Sequence, residues 1–326
     1  MKSARTFFLT LLAMIAFASN SLLCRLALKH TAIDAASFTF VRILSGAVAL
    51  LLLVKLPRLF FDRSPTIAKP GFSSPQSPLR VSDGPSSLRA KVRKRSAGNN
   101  STSSIAGSWP SAFALFIYAA AFSFAYNTLA AGTGALLLFG AVQATMILSG
   151  LHKGERLRAI QLLGLAVALT GLVILVFPGL SAPPWLGSVL MLSAGVAWGI
   201  YSLRGKGETN PASATAGNFL RAVPFGFALS IMAISRMHFD SLGAIYAILS
   251  GAITSGLGYV IWYRALPCMK STSAATVQLS VPVLTAIGGL LLLGEPITLR
   301  LLLASIAVLG GIALVVTEKK RFRDNR

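Results

Sequence analysis

The sequence predicts an all-α integral membrane protein whose ten transmembrane helices form two inverted five-helix repeats. Three observations carry this expectation. The composition is too apolar for a wetted surface: 54% of the 326 residues are hydrophobic and 12% are charged, where soluble domains carry about 25% charged residues. The apolar residues gather into ten runs, each near the ~20 residues that a helix needs to cross a bilayer. The two sets of five runs share short motifs in the same order, and an odd number of crossings inverts the second set against the first.

The first run, 7–28, follows Met1-Lys2 and passes Ala16-Phe17-Ala18, a pattern that also fits a cleavable leader. It continues through Leu22, Leu23 and Leu26 to Ala27, long enough to span. The second run, 36–54, holds one charged residue, Arg42. Residues 62–108 break the pattern. They are rich in Ser, Pro, Gly and base and lack apolar periodicity, which predicts a disordered insertion. Runs follow at 110–129, 134–151 and 158–177, and the Pro- and Gly-rich stretch from Pro178 to Pro184 is a turn that no helix continues. The second half repeats the plan at 185–203, 213–235, 242–263, 273–293 and 299–317. Gly, Pro and single polar residues interrupt several runs, as bilayer helices tolerate. The expected division is a first repeat over 1–177, a second over 178–317 and a basic tail over 318–326.

A net charge of +21 would suggest nucleic acid in a soluble chain. Between apolar spans, basic loops instead set orientation, and no nucleic-acid partner is expected. With the N-terminus inside, the inner segments hold 24 Lys and Arg and the outer ones four; without the ten bases from Lys55 to Arg95 the split is still 14 to four. Both termini are therefore expected in the cytoplasm, with the chain multi-pass in the plasma (inner) membrane. The insertion's cluster Arg89, Lys91, Arg93, Lys94 and Arg95 fits contact with anionic lipid headgroups, or else a solvated loop that anchors topology. Cys24 and Cys268 lie far apart in or beside apolar runs, which implies neither a disulfide framework nor a metal site.

The repeat rests on ordered matches. Phe40-Val41-Arg42 matches Phe219-Leu220-Arg221 at an offset of 179, and Ala16-Phe17-Ala18 matches Ala197-Trp198-Gly199 at 181. Gly154-Glu155-Arg156-Leu157 matches Gly294-Glu295-Pro296-Ile297 at 140, because the insertion lengthens the first half. Inverted repeats are the architecture of alternating access, with a site at their interface.

The polar and charged residues inside the runs are the candidates for that site. Arg42 and Arg221 lie within spans 2 and 7, placed near-symmetrically about the midplane. A buried base costs at least ~2.5 kcal/mol on insertion scales, so each must face protein or water. Either they attract an anionic or carboxylate-bearing substrate, or they make fixed structural bonds and snorkel. Glu155 and Glu295, closing spans 4 and 9, are gate or proton-carrier candidates, or helix-end groups bonded to backbone. The remaining cavity candidates are Asn20, Tyr126, Asn127, Gln143, Trp198, Tyr201, Asn218, Tyr259, Trp262 and Gln278. Amides are costly facing lipid, and aromatics line apolar cavities. No carboxylate falls inside any of the ten runs, so a proton-coupled mechanism would fall to Glu155 or Glu295; facilitated export is the simpler expectation.

At the motifs Phe38-Thr39-Phe40-Val41-Arg42, Ala197-Trp198-Gly199-Ile200-Tyr201, and Ser273-Ala274-Ala275 leading through Pro282-Val283 to Leu293-Gly294-Glu295-Pro296, the chain resembles EamA-type members of the drug/metabolite transporter superfamily. The resemblance covers nearly everything except 62–108. It implies a ten-helix permease with a central cavity lined by both halves, often an exporter of small metabolites such as amino acids or related compounds. It makes Pro282 a further gating candidate, since span 4 has Val142-Gln143 where the pattern of span 9 calls for proline. A non-transporting assembly protein and an importer are the alternatives. Enzymatic chemistry is not expected: the three histidines, His30, His152 and His238, sit at span ends, and no catalytic residues, metal ligands or cofactor motif emerge.

Overall fold

The computed structural model describes residues 2–61, 106–152, 154, 158–177, 182–205, 208, 210–265, 269 and 277–323. The insertion's expected disorder, its 89–95 cluster and Glu155 lie outside these residues. The chain divides into a helical unit, Met1–Val54 with Ala106–Arg326, and a second unit, Lys55–Ile105.

Among the described residues there are ten helical rods and no strand: α1 Lys2–His30, α2 Ala35–Phe61, α3 Trp109–Tyr126, α4 Ala131–His152, α5 Ala159–Val176, α6 Trp185–Arg204, α7 Pro211–Met232, α8, α9 Ser280–Leu293 and α10 Leu299–Arg323. Rod α8 runs through Ser241–Ile248, a π-helical segment Leu249–Leu257, and Gly258–Ala265. Each of the ten expected runs falls on one of these rods; residues 273–276 of the ninth run lie outside the described residues. Helices α2 and α10 outrun their apolar stretches, reaching Phe61 and Arg323, because a hydropathy boundary marks where lipid contact ends and not where backbone bonding must stop.

The starts follow from capping. Asp34, Asn210 and Asp240 accept backbone N–H bonds from the first turns of α2, α7 and α8, and Pro110 and Pro211 occupy positions where a missing N–H costs nothing. Gly294, at φ +62°, stops α9 in the left-handed conformation and turns Glu295 back, so that its amide bonds the Gly289 carbonyl at 3.1 Å.

Seven rods, α1 to α6 and α8, contain stretches long and apolar enough to cross a membrane, while α9 and the Leu299–Val315 part of α10 are shorter apolar helices. Helix α7, with Asn218 and Arg221, is less apolar. Large apolar side chains such as Phe7, Leu162, Val173, Leu291 and Ile306 are exposed. Water would penalise that surface, but hydrocarbon is its natural solvent.

Small residues bring the rods together. A Cβ on Gly164 of α5 would lie 2.6 Å from the Gly311 carbonyl oxygen of α10, and one on Gly171 would lie 2.8 Å from the Ala307 Cβ. Such seams let backbones approach where no hydrophobic force separates helix from lipid. Helix α3 packs on α6 and α7, α4 on α6 and α9, and α1 on α8 and α9. Helix α2 meets α7 and α8: Gly46 lies under the Phe219 ring, and Gly251 abuts the Arg42 carbonyl and the Ser45 hydroxyl.

Candidate functional site

Arg42 is drawn inward because α2 offers lipid on its other faces. It lies about 10 Å along the helix from Ala35 at 1.5 Å per residue and is 2% exposed. Its guanidinium sits over the rings of Tyr118 and Phe122, 5.2 and 4.8 Å from their centroids. Nη2 donates to the Tyr118 hydroxyl at 2.9 Å. Nη1 is buried and has no hydrogen-bond partner among the described residues.

The same hydroxyl accepts from Asn20 Nδ2 of α1 at 3.2 Å, and Asn20 Oδ1 accepts from Ser250 Oγ at 2.7 Å and Thr254 Oγ1 at 3.3 Å. Ser250 and Thr254 belong to the π segment of α8. A π turn is wider than an α turn and recurs at functional positions; here it carries both hydroxyls that meet Asn20. One connected set of bonds therefore ties α1, α2, α3 and α8.

Aromatic rings continue it. The half-buried Trp198 of α6 lies 4.7 Å from the Tyr118 ring and stacks on Tyr201 and Tyr259, each at 5.3 Å. Asn218 of α7 donates to the Tyr201 hydroxyl at 3.5 Å, and its Oδ1 accepts the Ser108 amide at 2.9 Å. Six helices thus supply a centre with one guanidinium, committed amides and ring surfaces. None of the contacts described for this centre involves a carboxylate. Its chemistry suits an anionic group beside an apolar or flat body.

A second knot lies where α1, α3, α4 and α9 end or begin. Arg25 Nε meets Glu295 Oε1 at 2.8 Å, with the side chains 13% and 8% exposed. Arg25 Nη1 donates to the carbonyls of Tyr126 at 2.8 Å and Asn127 at 3.1 Å, and Ala131 N donates to Glu295 Oε2 at 2.7 Å. Lys29 Nζ donates to the Leu293 carbonyl at 3.2 Å. The pair latches four helix ends together.

Of the residues singled out in the sequence, Asn20, Arg42, Trp198, Tyr201, Asn218 and Tyr259 come together at the centre. Tyr126 and Asn127 lie at the latch instead: the Tyr126 hydroxyl donates to the Ala131 carbonyl at 3.3 Å, and Asn127 is exposed. Arg221 is half-buried, and its Nη1 donates to the carbonyls of Gly217 and Ala106. Trp262 packs with Phe17, Ala13, Met14 and Val281. Pro282 is buried in the first turn of α9, Gln143 is buried on α4 and Gln278 is half-buried. Tyr118, Ser250, Thr254 and Arg25 escaped the sequence reading. Tyr118 sits among apolar neighbours, and only its distance from Trp198 and Arg42 marks it. A shallow apolar crevice between α4, α5 and α10, lined by residues such as Gly140, Leu165 and Val308 and by no polar side chain, lies away from this centre.

The model of the EamA-like transporter family matches residues 185–317. An uncharacterized protein of Pseudomonas aeruginosa is 49% identical over 319 residues, 98% of this chain and 97% of its own. An uncharacterized transporter of Archaeoglobus fulgidus is 27% identical over 220 residues, covering 64% of this chain and 78% of its own. The threonine/homoserine exporter RhtA of Escherichia coli K12 is 32% identical over 147 residues, 42% of this chain and 48% of that one. A crystal structure of a protein only 16% identical aligns over 98% of this chain and 100% of its own with a TM-score of 0.58, a likeness of fold.

Proposed function

The chain belongs to the EamA-like transporter family, multi-pass membrane transporters rather than enzymes, and from that premise we propose a secondary permease that exports small metabolites, amino acids or related compounds, by alternating access. The observation that carries the proposal is the buried Arg42 guanidinium within the amide and aromatic cluster, where helices from both halves converge. A charge left without a counter-ion in a low-dielectric interior is costly. A passing anionic group would relieve that cost.

The inverted repeat supplies the motion. Matching α1 with α6, α2 with α7 and so on exchanges the observed contacts in pairs: α3 on α6 with α8 on α1, α4 on α6 with α9 on α1, and α3 on α7 with α8 on α2. The α5–α10 seam maps onto itself. Such pairing supports two halves that rock against each other about a shared centre. With both termini in the cytoplasm, as the basic loops favour, the Arg25–Glu295 latch closes the outer end and must part for release. The 89–95 cluster adds to the cytoplasmic charge and suits anionic headgroups.

Untargeted metabolite profiling of cells and medium tests the reading, comparing a deletion strain, overexpression of the chain and overexpression of Arg42→Ala. A compound that rises outside only with the intact chain identifies cargo and direction. Rise inside the cell would make the protein an importer, and no response at normal membrane levels would remove transport of common metabolites.

A further inference from the structure

The central cluster favours one class of cargo over another. Arg42 Nη1 is an unpartnered donor on a side chain 2% exposed, and a guanidinium is shaped to take a carboxylate oxygen there while Nη2 stays on Tyr118. The groups that would receive an ammonium are already engaged. Both ends of the Asn20 amide are bonded, to Tyr118 on one side and to Ser250 and Thr254 on the other, and Asn218 Oδ1 holds the Ser108 amide. Arg42 itself covers the Tyr118 and Phe122 rings, while Trp198 stacks on Tyr201 and Tyr259, so ring faces that attract cations are occupied. No acid lies inside an apolar run; Asp34 and Asp240 cap helices and Glu295 is bound to Arg25.

We propose that, among the amino acids and related compounds of the transport reading, this centre favours small organic monocarboxylates that lack a free ammonium, such as acylated amino acids or arylalkanoic acids, over the zwitterionic amino acids themselves. The inference rests on the transport reading for its biology but not for its binding chemistry. A monocarboxylate neutralises Arg42 at the unpartnered Nη1 and brings no second charge. A zwitterion brings a second charge that must shed its water and meets no carboxylate among the contacts described for this centre, which costs it affinity.

The test uses the purified full-length chain in lipid nanodiscs, with tryptophan fluorescence titrated against 3-phenylpropionate, N-acetylphenylalanine, phenylalanine and sodium chloride. The two monocarboxylates are expected to saturate at concentrations at least about tenfold below phenylalanine, the scale of one unmet polar group. Arg42→Gln loses that binding, Arg42→Lys keeps part of it, and Arg300→Gln, altered at an exposed contact to the Phe177 carbonyl, binds like the parent. Should Arg42→Gln fail to fold, the ligand order in the parent and the Arg42→Lys affinity still decide. Equal affinity for phenylalanine and its acetylated form, or an unchanged Arg42→Lys and Arg42→Gln, overturns the proposal. So does a response fully reproduced by chloride, which means an inorganic anion only. Counterflow in proteoliposomes separates the two readings. Ordered binding without flux leaves the site standing and removes transport, whereas flux of amino acids with no carboxylate preference keeps transport and removes the selectivity.

Discussion

Arg42 and Arg221 close the matching motifs Phe40-Val41-Arg42 and Phe219-Leu220-Arg221, yet their surroundings differ. Arg221 spends Nη1 on the carbonyls of Gly217 and Ala106, while Arg42 faces two rings and a tyrosine hydroxyl and leaves Nη1 unbonded. A charge inside an apolar run is legible from sequence, since lipid cannot hold it; which of two such charges is already satisfied depends on neighbours from other helices and is not. Tyr118 shows the same limit, as an aromatic in a lipid-facing run looks like core or belt. Its hydroxyl accepts from both Asn20 and Arg42. Tyr118→Phe leaves those two donors buried and unmet, at about 1–3 kcal/mol each. The thermal midpoint in detergent is expected to fall well below that of the parent, and a melt within a degree of it would mean that water replaces the hydroxyl.

Helices were legible as units, because ten apolar runs can hardly be anything else, but their irregularities were not. Nothing in the stretch Leu249–Leu257 announces a π segment, although it is what carries Ser250 and Thr254 to Asn20. The Arg25–Glu295 latch joins residues 270 apart in sequence and four helix ends in space, and only Glu295 had been singled out. Removing one member of a buried pair costs about 3–5 kcal/mol. Arg25→Ala and Glu295→Ala should each raise thiol labelling of a cysteine placed at Ala131, which is fully buried beside Glu295, with the double variant little worse than either single one, since coupled partners do not add. Additive effects would show that the pair is not a latch. The α5–α10 seam makes a separate prediction: Gly164→Ala puts a methyl 2.6 Å from a backbone oxygen, an overpacking of about 1–3 kcal/mol, visible as a lower melting temperature. The α1–α2 loop is tied to the segment before α8 through Asp34, whose Oδ2 accepts the His238 amide at 3.1 Å. Partial burial pushes the Asp34 carboxyl up, but bonds from Ser37, His238 and Ala36 outweigh it and hold the carboxyl below its ordinary value. Such a group stabilises the fold above the unfolded aspartate value of about 3.9 and loses that contribution as pH falls through its lower folded value. Hydrogen exchange at the His238 amide should accelerate only below about pH 4, and Asp34→Asn should remove that pH step.

At the scale of the whole molecule, the proposed first repeat carries the insertion and the proposed second does not, so the two would differ most where the chain is most basic. Ten of the 24 bases assigned to the cytoplasmic side lie between Lys55 and Arg95, and it is tempting to give them the whole task of orienting the chain. The count argues otherwise. Without them the split is still 14 to four, with bases at every remaining inner connection, and orientation follows the sum of short basic loops near span ends rather than one loop. A variant lacking residues 62–105, which keeps Lys55 and Arg58 and so a split of 16 to four, is therefore expected to insert the same way round. A fluorescent protein fused after Arg326 should stay fluorescent, as it does only on the cytoplasmic side, and an alkaline phosphatase fused there should stay inactive. If the deletion makes the phosphatase active, the insertion is the determinant of topology. The latch at Arg25 would then face the cytoplasm in the deletion variant, and its proposed assignment to the outer end would depend on a segment that the proposed second repeat does without.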